Sequence, residues 1–156
     1  MTYRYYLTGC DCTGKSTIAN ELSELTGIEI TKYSVPRDTQ QEGMEWEEFK
    51  HYAHSSVDCI LDRAWHGRYA YDGITAAQER DMLDILLLSR AFTKNGGVIL
   101  FTTTAQEIII ERMRSRGDEF IKEEDIDGIL WKYEHLQTQL QENGIPFYLI
   151  DTTYLC

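Results

Sequence analysis

The run Gly9-Cys10-Asp11-Cys12-Thr13-Gly14-Lys15-Ser16 constrains this chain more than any other, because it fits the pattern G-x-x-x-x-G-K-[ST] between two readable elements. Tyr3 to Thr8 reads as a strand, and Ser16 to Leu25 as a helix with apolar residues at Ile18, Leu22 and Leu25. Strand, loop and helix in that order place backbone amides at a helix N-terminus, where free donors and partial positive charge meet a phosphate chain. Gly9 and Gly14 permit a backbone course and a close approach that a side chain obstructs. Lys15 is positioned to reach β- and γ-phosphates, the Ser16 hydroxyl to ligate Mg²⁺, and Thr17 to lie near the α-phosphate. Gly9, Cys10, Asp11, Cys12, Thr13, Gly14, Lys15, Ser16 and Thr17 together form the expected ATP-binding segment.

The 156 residues suit one domain with a single core, expected over 1–156, and the sequence shows no repeat, low-complexity tract or Pro/Gly/Ser-rich linker. Apolar runs such as Ile85 to Leu88 are far shorter than a membrane span, and MTYRYYLTGC enters the first strand without a signal-peptide pattern. The expectation is a soluble cytoplasmic protein with no membrane partner. Its cysteines fit that compartment: Cys10 and Cys12 lie in the loop, Cys59 in an apolar strand and Cys156 at the end. A loop that wraps phosphate does not easily wrap zinc as well, so the C-x-C pair is not taken as a metal site. The formal net charge of −11 gives no general attraction to nucleic acid. Basic residues gather locally at Arg63 to Arg68 and Arg112 to Arg116, which suits a small anionic ligand.

Periodicity then gives a second strand at Glu29 to Tyr33, a turn at Pro36, a helix from Glu45 to His54 and a buried strand from Ser56 to Asp62. A helix over Ala76 to Thr93 ends at Asn95-Gly96-Gly97, followed by a strand at Val98 to Thr103. Helices at Gln106 to Arg116 and Glu123 to Gln141 and a last strand from Pro146 to Asp151 complete the order. Strands alternating with helices predict an α/β three-layer sandwich with a five-stranded parallel sheet covered by helices, and the Gly9–Ser16 motif makes the expectation one of the P-loop NTPase kind. Ligands of such sheets sit beyond the carboxyl ends of the strands, where Gly9 to Ser16, Ser34 to Arg37 and Asp62-Arg63 all fall.

Four segments in order resemble the thymidylate kinase family of nucleoside monophosphate kinases, with deoxynucleoside kinases as near relatives. They are the loop with its acid at Asp11, the run Val35-Pro36-Arg37-Asp38-Thr39, the pair Asp62-Arg63 with Ala70-Tyr71-Asp72-Gly73 downstream, and Glu111 to Glu119. The last is similar to the family's arginine-bearing lid, here about 112–124. The resemblance implies transfer of the γ-phosphate of ATP, with Mg²⁺, to a deoxynucleotide, above all a pyrimidine deoxynucleoside monophosphate. It also implies Arg37 at the acceptor phosphate and a homodimer built from helices on one side of the sheet. The chain departs from the family in ending soon after the fifth strand, and in Ala64-Trp65-His66-Gly67-Arg68-Tyr69 after the Asp-Arg pair. Compact versions of this kind are familiar among bacteriophages, where some relatives are thought to phosphorylate 5-hydroxymethyluracil within DNA. The alternative acceptor is therefore a hydroxyl, on a free deoxynucleoside or on DNA. A nucleotide-driven switch would carry an N-K-x-D motif, which is not apparent.

Phosphoryl transfer asks for positioning and for cations around the transferring group. The residues expected to act are Lys15, Asp11, Asp62, Arg63, Arg112 and Arg116, with Ser16 and Asp62 as Mg²⁺ ligands. Asp62 is otherwise a buried structural carboxylate, and Arg63 otherwise an ion pair with Asp58 or Asp62. Asp11 is suited to a sugar hydroxyl, or to act as base if the acceptor is an alcohol. Arg112 and Arg116 share a helical face, with Arg114 turned away; the alternative is a solvated, charged face. Arg37, Arg63, Trp65 and Tyr71 are the expected acceptor-binding set, Trp65 and Tyr71 by stacking on a base. Trp46, Phe49 and Tyr52 fit a stacking face or an amphipathic core stripe equally, and His66 is open between a substrate contact and an incidental loop histidine.

Overall fold

Five short strands rich in β-branched and aromatic residues, separated by helices, leave the chain little choice but a parallel sheet covered on both faces. The computed structural model describes residues 2–33, 38–71, 81–117 and 122–154. Its strands are β1 (Arg4–Thr8), β2 (Ile30–Lys32), β3 (Cys59–Asp62), β4 (Val98–Thr103) and β5 (Tyr148–Asp151), in the order β2-β3-β1-β4-β5. Every pairing is parallel: Tyr6 lies opposite Leu61 and Ile99, and Leu100 opposite Tyr148. The helices are α1 (Lys15–Thr26), α2 (Thr39–His54), α3 (Gly67–Ala70), α4 (Met82–Lys94), α5 (Gln106–Arg116) and α6 (Ile126–Glu142). The predicted three-layer α/β architecture holds.

Alternation along the strands divides the interior. Leu7 and Ile60 face α1 and meet Ala19, Ile18 and Leu22, whereas Tyr6, Leu61, Ile99 and Phe101 face the larger core under α2, α4 and α6. The expected helix from Glu45 begins a turn and a half earlier, at Thr39, because the Asp38 carboxylate accepts from the Gln41 amide at 2.8 Å and caps it. The 3₁₀ turn Glu123–Asp125 takes the start of the last expected helix. The first part of the expected helix from Ala76 lies outside the described residues. No helix among those described is long and apolar enough to cross a membrane.

One segment corrects the sequence expectation. Trp65 is not an acceptor-stacking residue: it is fully buried, edge-on to Tyr6 at 4.4 Å and beside Phe49 and Phe92. Trp46 and Phe49 are likewise buried, so that stripe is core. His66, also at 0% exposure, stacks between Tyr6 and Phe101. The Ser89 hydroxyl donates its one proton to the Ile85 carbonyl at 2.8 Å, so it accepts from Trp65 Nε1 at 3.0 Å and from His66 Nε2 at 2.9 Å. That assigns the proton to Nε2 and leaves Nδ1 to accept from the Thr8 hydroxyl at 3.0 Å. The imidazole is neutral, and burial pushes its pKa from 6.5 down to about 3.

Two outcomes follow from this core. Trp65→Ala removes the largest fully buried side chain and its hydrogen bond, so urea unfolding should show a loss of about 3–5 kcal/mol; a loss under 1 kcal/mol contradicts the core placement. The unfolded chain protonates His66 near pH 6.5 while the folded chain resists until about 3, so stability is intact above 6.5 and falls as the pH drops through that window. The expected slope from this group is about 1.4 kcal/mol per pH unit. Unfolding curves of wild type and His66→Gln between pH 7 and 5 should differ by that slope, and parallel curves would refute the neutral assignment.

Candidate functional site

The carboxyl ends of β1, β3 and β4 meet around the loop between β1 and α1. Gly9 leaves β1 with φ of 141°, and a Cβ there would stand 2.6 Å from the Thr102 carbonyl oxygen, so the loop presses directly on the end of β4. Gly14, at φ 81°, turns the chain into α1. Among the described residues only Cys12 (φ 62°) and Arg63 (φ 61°) hold left-handed backbone without being glycine, and both belong to this site. Such conformations cost on the order of 1–3 kcal/mol and persist where the surroundings over-determine them.

The surroundings here are hydrogen bonds to the loop. Lys15, buried at the start of α1, donates through Nζ to the Gly9 carbonyl at 2.8 Å and to the Cys10 carbonyl at 2.9 Å. Burial lowers its pKa, and the nearby Asp62 carboxylate acts in the opposite sense. The Asp11 amide donates to the Tyr71 hydroxyl at 2.9 Å. The Thr13 hydroxyl donates to the Cys10 carbonyl at 2.5 Å, and the Thr102 hydroxyl, 2.6 Å away, supplies the remaining proton to Thr13 Oγ1. Ser16 and Thr17, in the first turn of α1, are exposed.

Arginines close in from the end of β3 and from α5. Arg63, directly after β3, forms an ion pair with Asp11 and lies over the Tyr71 ring at 5.5 Å. On α5, Arg112 donates through Nη1 to the Cys12 carbonyl at 2.9 Å and through Nη2 to the Thr152 carbonyl at 3.0 Å. One helical turn on, Arg116 Nη1 reaches the Cys12 sulfur at 3.7 Å. Arg114 instead pairs with Glu123 at 2.6 Å on the exposed side. Asp62 is buried at the end of β3. Lys15, Asp11, Asp62, Arg63, Arg112 and Arg116 are thus gathered around the loop. Arg37 lies outside the described residues, as do residues 118–121 of the expected lid. Arg63 finds its partner in Asp11 rather than in Asp58 or Asp62. Tyr71 departs from its expected stacking role, since its ring is buried against Tyr133 and its hydroxyl braces the loop. Cys10, Cys12 and Cys59 are free thiols, and burial raises the Cys10 pKa to about 11.

A hydroxyl on Ser16 and a carboxylate on Asp62 are hard oxygen donors, the set that suits Mg²⁺ held partly by phosphates. Sequence reasoning missed two groups of residues. Thr102 and Thr152 brace the loop from the ends of β4 and β5; the runs Thr102-Thr103-Thr104 and Thr152-Thr153 at that sheet edge were the available signal. The second group is a buried cluster in which Arg68 of α3 pairs with Glu45 and approaches Glu42 at 3.8 Å. Glu45 also lines a cavity of about 420 Å³ with Asp38, Gln40, Gln41, Met44 and Glu48.

Comparison with known proteins places this geometry. No protein-family model matches the chain. A crystal structure of YorR from Bacillus subtilis in complex with phosphorylated GDP superposes with a TM-score of 0.76 at 25% identity, covering 95% of this chain and 85% of that one. Deoxyadenosine kinase from M. mycoides with bound dCTP shares the fold at a TM-score of 0.61 and 22% identity, over 95% of this chain and 89% of that one. Thymidylate kinase from Candida albicans does so at 0.58 and 17%, over 98% and 84%. In sequence, the SPbeta prophage-derived uncharacterized protein YorR of Bacillus subtilis (strain 168) is 30% identical over 151 residues, which is 94% of this chain and 87% of that protein. With that identity along nearly the whole of both sequences, the chain belongs to the YorR family.

Proposed function

We propose that this chain is an ATP- and Mg²⁺-dependent kinase that transfers the γ-phosphate to a nucleotide- or nucleoside-type acceptor, working as a single domain over 1–156 with its lid near 112–124. The observation that carries the reading is the convergence of Lys15, Arg63, Arg112 and Arg116 on one loop whose neighbours Ser16 and Asp62 suit Mg²⁺. In this reading Ser16 and Asp62 would hold Mg²⁺, which would supply charge to offset the donor phosphates; Lys15 would leave the Gly9 and Cys10 carbonyls to meet those phosphates, and Arg116 would supply charge as the group transfers. The kinases that share the fold, and YorR with phosphorylated GDP, support it. A prophage-borne relative fits a bacteriophage source and a host-cytoplasmic location.

The thymidylate-kinase likeness puts a pyrimidine deoxynucleoside monophosphate first as acceptor, with Arg37 and Arg63 on its phosphate. The second reading is a hydroxyl acceptor, and the deoxyadenosine kinase that shares the fold supports it. A free deoxynucleoside fits that reading; hydroxymethyluracil in DNA is its less favoured form, given the net charge of −11. The homodimer that the likeness implies belongs to the same proposal.

The deciding experiment follows labelled γ-phosphate from ATP with Mg²⁺ into thymidine, deoxyuridine, hydroxymethyldeoxyuridine and guanosine-type monophosphates, the free deoxynucleosides, and DNA with and without hydroxymethyluracil. Label on a monophosphate establishes the first acceptor class, and label on a nucleoside or modified DNA the second. No label on any acceptor removes the kinase reading. Lys15→Ala should reduce transfer by about 10³-fold or more, as loss of a cation on the transferring phosphates does. Arg63→Ala should reduce it by about 10²-fold or more with the circular dichroism spectrum unchanged. Wild-type rates in either variant would dismiss that residue from the site.

A further inference from the structure

Thr152, the first residue past β5, is 2% exposed and braces the loop without being assigned to any binding step above. Its hydroxyl lies within reach of two carbonyls and donates to the nearer, that of Thr13 in the phosphate loop, rather than to that of Thr103 at 3.1 Å. A hydroxyl has one proton, so Thr104 Oγ1, at 2.5 Å, is the donor to Thr152 Oγ1. The Thr152 amide is fixed in turn by the Thr103 carbonyl at 2.7 Å. Its own carbonyl takes Arg112 Nη2 at 3.0 Å, and the other arm of that guanidinium takes the Cys12 carbonyl at 2.9 Å. Two successive loop carbonyls, Cys12 and Thr13, are therefore gripped from the β5 side by one junction.

The consequence follows from peptide planarity. In a trans peptide the N–H points opposite to the C=O, so pulling the Cys12 and Thr13 carbonyls outward turns the Thr13 and Gly14 amides the other way. Those amides precede the free N-terminus of α1, and together they form the concave set of donors that an anion meets. The left-handed Cys12, at φ 62°, is the strained residue whose conformation this grip maintains.

We propose that Thr152, joined to Arg112, is a positioning residue that sets the amide orientation of the phosphate loop and thereby its affinity for the donor triphosphate. It acts through the loop and does not touch the phosphates. The inference rests on the loop binding a nucleoside triphosphate, as the kinase reading holds.

Isothermal titration of the full chain with MgATP and with inorganic tripolyphosphate tests it without needing any acceptor. Thr152→Val keeps the shape and removes the proton, and should weaken both ligands about tenfold, the worth of one such hydrogen bond. Thr152→Ser keeps the hydroxyl and should restore wild-type affinity. Unchanged affinity in Thr152→Val, with only a lower melting temperature, would mean that the residue is merely structural and overturn the inference. Should Thr152→Val not fold, Thr104→Val decides. It removes the donor that orients the hydroxyl and should weaken MgATP about threefold; wild-type affinity there overturns the inference. A wild-type chain that binds neither ligand overturns the kinase reading and this inference together, whereas tight wild-type binding with an unaffected Thr152→Val overturns this inference alone.

Discussion

A loop proposed to bind phosphate through its amides must find partners for its carbonyls elsewhere, and much of the hydrogen bonding around it meets that requirement. A buried carbonyl without a partner costs about 1–3 kcal/mol, and of the five successive carbonyls from Gly9 to Thr13 four are met by side chains. Gly9 and Cys10 are met by Lys15, Cys10 also by the Thr13 hydroxyl, Cys12 by Arg112 and Thr13 by Thr152. The partners come from α1, from α5 and from the end of β5. The five-stranded order β2-β3-β1-β4-β5 brings these ends to one edge, so the fold serves the loop's polar accounting as much as its core.

The same edge is a problem in charge. Lys15 is buried, and an ammonium in such a place needs partners in every state of the protein. Two carbonyls and the field of Asp62 supply them, while burial still depresses its pKa. Arg63, half-buried, is met in turn by Asp11. Each cation is thus held close to where a phosphate would lie, by contacts that a doubly charged ligand can replace with stronger ones.

Much of this was legible in the sequence, and the limits have physical causes. Gly9, Gly14 and Lys15 announce themselves because phosphate binding fixes their spacing, and β4 could be read to the residue because Val98 to Thr103 is an unbroken β-favouring run between turn signals. Trp65 and His66 were misread because a polar, aromatic segment following a site residue looks like an exposed loop. Only the contacts to Tyr6, Ser89 and Phe101, distant in sequence, show it to be core. The early start of α2 depended on a single cap at Asp38. Arg68 with Glu42 and Glu45 could not be read at all, since residues 23 or more positions apart meet only through the packing of α3 on α2. Thr152 hides because one threonine carries no spacing of its own.

The two arginines of α5 are not equivalent, although sequence spacing places them on one face. Arg112 makes two charge-assisted hydrogen bonds to carbonyls, each worth about 1.5–3 kcal/mol, and leaving them would free the strained Cys12 as well. Among the described residues, Arg116 makes a contact of 3.7 Å to a thiol sulfur, a weak acceptor. In the proposed kinase, a ligand that drew a guanidinium from α5 onto its phosphates would therefore draw Arg116 at the lower cost, and Arg112 would stay with the loop carbonyls. Under that proposal a division of labour between neighbours one helical turn apart follows from what each would have to release.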